Sequence, residues 1–322
     1  MTETAFPPLR LPQPATEAQR LFHGRGKHHP GHEHLVIDWL PPVIVIGLYR
    51  PVARYRLTTL ARWLHQQIDG CEAVLLQHRF EPAGPVSALL GHAPEKPFAI
   101  DENGLRYLVH PGRNRNSGLF LDMRNGRDWV RRHATGKRVL NLFAYTCGFS
   151  VAALAGGASA VVNVDMSGRA LAIGRDNHRL NELPLTAVRF EKLDIFRSFG
   201  RLRRRGPFDL LVCDPPTRQK GSVDVERDYP RILRRLDEFM APGGELLLCL
   251  NAPRLGRDFL LDAVAALAPQ YRFVADIPPP AVFADAEGRG LKVLHFRNQT
   301  PGTHRVDSTA RGDLPPRRPV AR

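Results

Sequence analysis

A chain of 322 residues that is 43% hydrophobic, with no apolar run long enough to cross a membrane, has the makings of one large or two ordinary packed domains. Its 46 Lys and Arg against 32 Asp and Glu leave a formal charge of +14, an excess that favours a polyanionic partner such as RNA or the ribosome. Cys71, Cys147, Cys213 and Cys249 stand far apart without a CxxC pair, which argues against both a disulfide framework and a zinc site and fits a reducing cytoplasm.

Residues 1–20 are Pro-rich, weakly apolar and without the pattern of a secretory signal, so they read as an N-terminal arm. A small α+β unit is expected over 21–111. Two apolar runs, 35–39 and 43–49, flank Pro41-Pro42 and predict a hairpin with a stiff turn. Leu57, Leu60, Ala61, Leu64 and Ile68 fall at helical spacing, which predicts a helix over 55–69 ended by Gly70. Further strands are expected at 73–77, 98–100 and 107–109, the last two joined by a turn at Asp101-Glu102-Asn103-Gly104.

From about Gly118 the pattern changes to alternation. Strands are predicted over 138–142, 160–164, 187–190, 209–213 and 245–250, with helices over 149–154, 167–181 and 229–239. Such alternation predicts a parallel sheet covered by helices on both faces, a Rossmann-like α/β domain over 112–300. Segments 272–277 and 292–296 read as a terminal antiparallel pair. The tail 301–322 is rich in Pro and Arg, has no apolar period, and is expected to be disordered and to add nonspecific affinity for phosphate.

In an open α/β sheet a ligand sits beyond the carboxyl ends of the strands, where their order reverses. The first such end is Asn141-Leu-Phe-Ala-Tyr-Thr-Cys-Gly148, and the next three carry Asp165, Asp194 and Asp214-Pro215-Pro216-Thr217. An acidic residue ending the second strand suits the two hydroxyls of a ribose. The first loop lacks G-x-G-x-x-G, the feature that lets backbone approach a pyrophosphate, which disfavours a dinucleotide. Two prolines after Asp214 stiffen the backbone so that its carbonyls can face a substrate amine or ring edge. Taken alone, Asp-Pro-Pro could be a rigid turn; beside Asp165 and Asp194 it reads as part of a site.

The stretches GLFLDMR (118–124), VLNLFAYTCGFS (139–150), Val164-Asp-Met-Ser167 and Asp214-Pro-Pro-Thr217 together resemble the bacterial large-subunit rRNA methyltransferases of the RlmI and RlmK type, over roughly 112–297. The resemblance implies a class I S-adenosylmethionine (SAM) dependent enzyme acting on ribosomal RNA, as a monomer or homodimer. It implies that Asp165 binds the ribose hydroxyls and Asp194 the adenine amine. Asp214 would lie beside the methyl and the target base, with Pro215, Pro216 and Asn251 on the base side. Phe120, Asp122 and Arg124 would close over the cofactor, which Asn141, Phe143, Tyr145, Thr146, Gly148, Met166 and Ile195 would also contact. The α+β unit is similar to the family's central RNA-binding domain. Neither the N-terminal PUA domain of RlmI-type enzymes nor a second methyltransferase half is seen.

Two departures bear on function. The family's Thr-Gly-Gly loop is Thr146-Cys147-Gly148 here, and a cysteine takes positive φ only at a cost, so the loop is expected to change shape. Methylation at carbon 5 of cytosine needs a thiolate on carbon 6, and the residue aligned with the RlmI-type cysteine is Asn251. The RlmK-type pattern has Asn there, and its Phe-Asp-Val-Gln-Arg-Asp resembles Val223-Asp-Val-Glu-Arg-Asp228. Guanine nitrogen 7 is already nucleophilic and needs mainly positioning, so that acceptor is favoured. The alternatives are a cytosine-5 enzyme using Cys249 or Cys147, and a noncatalytic RNA-binding protein on a degenerate scaffold.

Weaker signals remain. His23, His28, His29, His32 and His34 cluster without cysteines or paired carboxylates and read as a basic loop, not a metal site. Arg201, Arg203, Arg204 and Arg205, with Arg231, Arg234 and Arg235 and with Arg113 and Arg115, make either an RNA track or solvated faces.

Overall fold

The computed structural model describes residues 7–12, 16–113, 115–216, 218–219 and 223–300. The expected basic tail, Thr217 and residues 1–6 and 13–15 of the expected arm lie outside them. Among the described residues no helix is long and apolar enough to cross a membrane.

Five strands, β1 (Gln19–His23), β2 (Leu35–Leu40), β3 (Val43–Leu48), β4 (Ala73–His78) and β5 (Val86–Leu90), form a first sheet in that order. The β2–β3 hairpin closes at Leu40 opposite Val43, and helix α1 (Arg54–Gln67) carries the chain across to β4, which runs parallel to β3. Period-two alternation sends Ile37, Trp39, Ile44 and Ile46 to one face, where Leu57, Leu60, Ala61 and Leu64 of α1 cover them. Strand β1 begins inside the segment expected to be an arm. A bulge between Arg20 and Phe22 puts the consecutive Leu21 and Phe22 into the same core, so the sequence shows no alternation there.

Strands β6 (Phe98–Glu102) and β7 (Leu105–Val109) form the expected second hairpin, turning through Asn103 and Gly104, both at positive φ. The chain then enters helix α2 (Arg124–His133), followed by β8 (Arg138–Leu142), α3 (Gly148–Ala155), β9 (Ala160–Asp165), α4 (Gly168–Leu180) and β10 (Val188–Lys192). Next come α5 (Phe199–Arg205), β11 (Phe208–Cys213), the short pair β12 (Arg218–Gln219) and β13 (Val223–Asp224), α6 (Val225–Leu233) and α7 (Leu236–Phe239). Strand β14 (Met240–Leu250), α8 (Asp258–Leu267), β15 (Tyr271–Asp276) and β16 (Lys292–Asn298) complete the order.

The second sheet runs β10-β9-β8-β11-β14-β16-β15, with its first five strands parallel and β16 antiparallel to both neighbours. Strand order therefore reverses between β8 and β11, which opens a crevice at their carboxyl ends. Helix α6 starts earlier than expected because the Asp224 carboxylate accepts the amides of Glu226 (3.1 Å) and Arg227 (3.5 Å) as an N-cap. The helix predicted over 229–239 is broken into α6 and α7 by a turn at Arg234 and Arg235.

The two units share a core. Leu40, Val45 and Leu75 of the first sheet pack in one cluster with Tyr107 and Val109 of β7, with Leu121, and with Val151 and Ala152 of α3. On α4, Asn177 accepts from the Leu108 amide, and Asn181, capping its end, both accepts from and donates to the backbone of Arg106. The free edge of β7 is thereby closed by side chains from the other unit.

Candidate active site

A cavity of about 430 Å3 occupies the crevice at the carboxyl ends of β8, β9, β10 and β11. The loop leaving β8 forms one wall. Phe143, Tyr145 and Cys147 in it take φ of 57°, 47° and 61°, so every second residue is left-handed. The alternation turns backbone toward the end of β9, where the Tyr145 amide donates to Asp165 Oδ2 (2.8 Å) and the Ser167 amide to Oδ1 (2.7 Å). Each oxygen keeps a free lone pair on the cavity side. At the end of β10, Asp194 accepts the Phe196 amide (2.9 Å) and lies near Arg197 (3.4 Å).

Asp214, at the end of β11, accepts no hydrogen bond from the described residues and shares the cavity with Asp122. Burial, and then the Asp122 carboxylate, push the Asp214 carboxyl up to about 7, with Arg127 pulling the other way. Burial raises Asp122 too, against Arg20 and Arg127. The segment carrying Asp122 is pinned from both units. Thr146 Oγ1 donates to the Gly118 carbonyl (2.6 Å), and Arg127 donates to the Phe120 carbonyl (3.0 Å). Arg127 itself is held by two 2.7 Å bonds to the buried Glu102 carboxylate of β6. Phe120 and Tyr145 face each other at the mouth with ring centroids 5.6 Å apart, and Phe120 and Met166 are among the most exposed large apolar residues.

Phe120, Asp122, Phe143, Tyr145, Thr146, Gly148, Asp165, Met166, Asp194, Ile195, Asp214, Pro215, Pro216 and Asn251 all line this cavity. Arg124 and Asn141 do not. Arg124 turns away to Glu17 and to Asn103 Oδ1 (3.0 Å from Nε), fastening α2 to the first unit. Asn141 is buried within the sheet, where it donates to Asn163 (2.8 Å), Asn163 to Ser150 (2.9 Å), and Ser150 meets His178 (2.9 Å). Its position on β8 faces the α3 layer, not the strand end. Arg127, Asn116 and Phe196 also line the cavity and carry no signal in the sequence, since each is brought there by packing between distant segments.

A carboxylate-rich cavity with aromatic edges and, among the described residues, no free cation suits a cationic nucleoside and not a pyrophosphate. The family model for S-adenosylmethionine-dependent methyltransferases matches residues 19–297. The chain belongs to that family. It is a methyltransferase, and SAM is its methyl donor. Ribosomal RNA large subunit methyltransferase I of Cronobacter sakazakii is 32% identical over 298 residues, 86% of this chain and 73% of that protein. The protein of the same name from Aeromonas salmonicida is 39% identical over 161 residues, 49% of this chain and 41% of that protein. A solved methyltransferase structure complexed with SAH is similar with a TM-score of 0.79 at 26% identity, covering 88% of this chain and 76% of that one.

The methyltransferase keeps its thiols out of the cavity. Cys71, Cys147, Cys213 and Cys249 are all buried, and burial raises the thiol pKa of both Cys147 and Cys249 well above the ordinary value. Cys147 takes the left-handed conformation (φ 61°) that its side chain makes costly. Room for that side chain comes from α4: a Cβ at Gly174 would stand 2.4 Å from the Cys147 sulfur, and its absence makes the room.

The arginines divide into two groups. Arg231 stacks on Phe196 (4.3 Å) and pairs with Asp228, Arg235 stacks on Phe199 (4.8 Å) and pairs with Glu238, and Arg201 and Arg205 share Glu191, so this set forms one strip beside the cavity that keeps a net positive charge. Arg115 joins the first sheet instead, donating to the carbonyls of Arg79, Glu81 and Pro82. Among the described residues no group of His, Cys, Asp and Glu is arranged to hold a metal; His29 and His32 lie against the Phe22 ring.

Proposed function

We propose that this methyltransferase modifies large-subunit ribosomal RNA in the cytoplasm, with ring nitrogen 7 of guanine as the acceptor. The observation that carries the reading is the chemistry of the cavity, which is lined by four carboxylates and Asn251 and by no thiol. The net charge of +14 and the likeness to ribosomal RNA methyltransferases support the choice of RNA.

SAM, when bound, supplies an electrophilic methyl on a sulfonium. Asp165 accepts the ribose hydroxyls through its free lone pairs, and Asp194 with Ile195 holds the adenine. Phe120, Phe143, Tyr145 and Met166 exclude water around the donor, while Thr146 and Gly148 give it backbone to lie against. Asp214, held rigid by Pro215 and Pro216, faces the base and accepts from its N–H edge when ionised. A guanine N7 lone pair needs no general base. The reaction moves one positive charge from donor to base, and Asp122 and Asp214 stand beside a cation before and after it, a preorganised field that favours transfer. Asn251, exposed at the mouth, can orient the base as donor or acceptor.

The resemblance to RlmI-type enzymes keeps carbon 5 of cytosine as the second reading. That reaction needs a thiolate at carbon 6, and Cys147 and Cys249 are fully buried away from the cavity lining. Deletion of the gene followed by nucleoside mass spectrometry of ribosomal RNA decides between them. Loss of 7-methylguanosine is expected; loss of 5-methylcytidine instead would overturn the assignment.

A further inference from the structure

The inner face of the first sheet has two halves. Leu40, Val43, Val45, Ala73 and Leu75 fill one and are covered by the methyltransferase unit. The other half is polar, with Arg20 on β1, Asp38 on β2, and Tyr49 and Arg79 just past the ends of β3 and β4. Its charges do not balance. The Asp38 carboxylate is taken by Arg20, whose Nε and Nη2 bond its two oxygens while the guanidinium also lies over Phe283 (4.7 Å). Arg25 lies over the Tyr49 ring (4.3 Å) and Arg115 bonds only backbone carbonyls.

Arg79 is left over. Its guanidinium makes no hydrogen bond or ion pair with the described residues, and its Nε is buried without a partner. Burial lowers its pKa, and the neighbouring Arg115 and Arg20 lower it further against Tyr49 and Asp38. A half-buried cation among like charges is costly unless an anion arrives from outside. Gly47 leaves room beside the Arg79 stem for Val36, from whose side chain a Cβ at Gly47 would stand 2.7 Å.

This niche adjoins the cavity on two sides. Arg20 lies close enough to the cavity's Asp122 for its charge to act on that carboxyl, and Asn116, next to Arg115, lines the cavity as well. We propose that the niche centred on Arg79 is a subsite for a phosphate of the RNA backbone, seating the strand that delivers its base to Asp214. This rests on RNA being the substrate. A nucleobase in the cavity leaves its own backbone outside the mouth, and a guanidinium with free donors matches a phosphate's oxygens.

Arg79→Met keeps the aliphatic stem and removes the charge. Binding of a fluorescent single-stranded RNA is measured by anisotropy over a salt series for wild type, Arg79→Met and Arg79→Lys, alongside melting temperature and SAM affinity by calorimetry. Expected for Arg79→Met is a loss of about tenfold in RNA affinity at low salt and a salt slope smaller by roughly 0.7–1, as for one lost phosphate contact. SAM affinity is unchanged, the melting temperature is unchanged or higher, and Arg79→Lys recovers part of the slope. RNA curves that coincide for wild type and Arg79→Met would overturn the subsite while leaving the substrate reading intact. Coinciding curves together with binding of inorganic phosphate alone would assign the niche to a free anion and likewise overturn it. A wild type that binds no RNA would remove both proposals at once.

Discussion

Phe143, Tyr145 and Cys147 each hold a backbone conformation that costs a non-glycine residue about 1–2 kcal/mol, and the surrounding bonds make the loop keep it. The Cys147 amide donates to Ala144 (2.7 Å) and the Ala144 amide to Val164 (3.1 Å). The missing family glycine was legible in the sequence; its compensation was not, because Gly174 lies on another helix and nothing local marks it. Gly174→Ala, which would place a methyl 2.4 Å from the Cys147 sulfur, is expected to cost roughly 2–3 kcal/mol, and Cys147→Gly in the same chain to restore most of it. Equal losses in both backgrounds, measured by urea unfolding, would sever the pair. Asp214 supplies a second test. Its carboxyl is raised from 3.8 to about 7, so between those values the folded chain holds a proton that the unfolded chain has released. Stability therefore falls as pH rises through that window, and stays low above it. Asp214→Asn is expected to flatten that stretch of the melting temperature against pH, and an unaltered profile would show that burial does not raise the group.

At the scale of elements, the sequence announces what is buried on both sides and hides what is held by charge. Strands β8, β9, β11 and β14 read as apolar runs because helices cover both faces. Helix α2 does not, since its inward face includes Arg127, a charged residue only 4% exposed. Two of the expected site residues do not line the cavity. Arg124 on α2 turns to Glu17, and Asn141 on β8 turns to the Asn163–Ser150–His178 chain, so motif membership did not mean facing the cavity. Glu102→Gln leaves the buried Arg127 without its carboxylate, and is expected to cost about 3–5 kcal/mol in urea unfolding. It should also weaken SAM binding, because Arg127 holds the Phe120 carbonyl at the cavity rim. Arg124→Met should leave SAM affinity unchanged in calorimetry. A loss of affinity in Arg124→Met equal to that in Glu102→Gln would contradict the division between pocket and joint.

Across the whole molecule, the site depends on both units. The shared cluster of Leu40, Leu75, Tyr107, Leu121 and Val151, with the Arg127–Glu102 pair, makes the first sheet a wall of the methyltransferase and not an appended module. Sequence reasoning expected a change of pattern from about Gly118 but could not see packing across it, since hydrophobic periodicity reports which side is buried and not against what. The three carboxylates at strand ends were legible because topology fixes where such ends lie; the fourth, Asp122, came only with the family motif. The most direct test of the chemistry is transfer of labelled methyl from SAM to large-subunit ribosomal RNA taken from a strain lacking the gene, by wild type and by Cys147→Ala and Cys249→Ala, with the labelled nucleoside identified by mass spectrometry. Label in 7-methylguanosine with all three enzymes is the expected result. Label in 5-methylcytidine that disappears with either cysteine variant would contradict it.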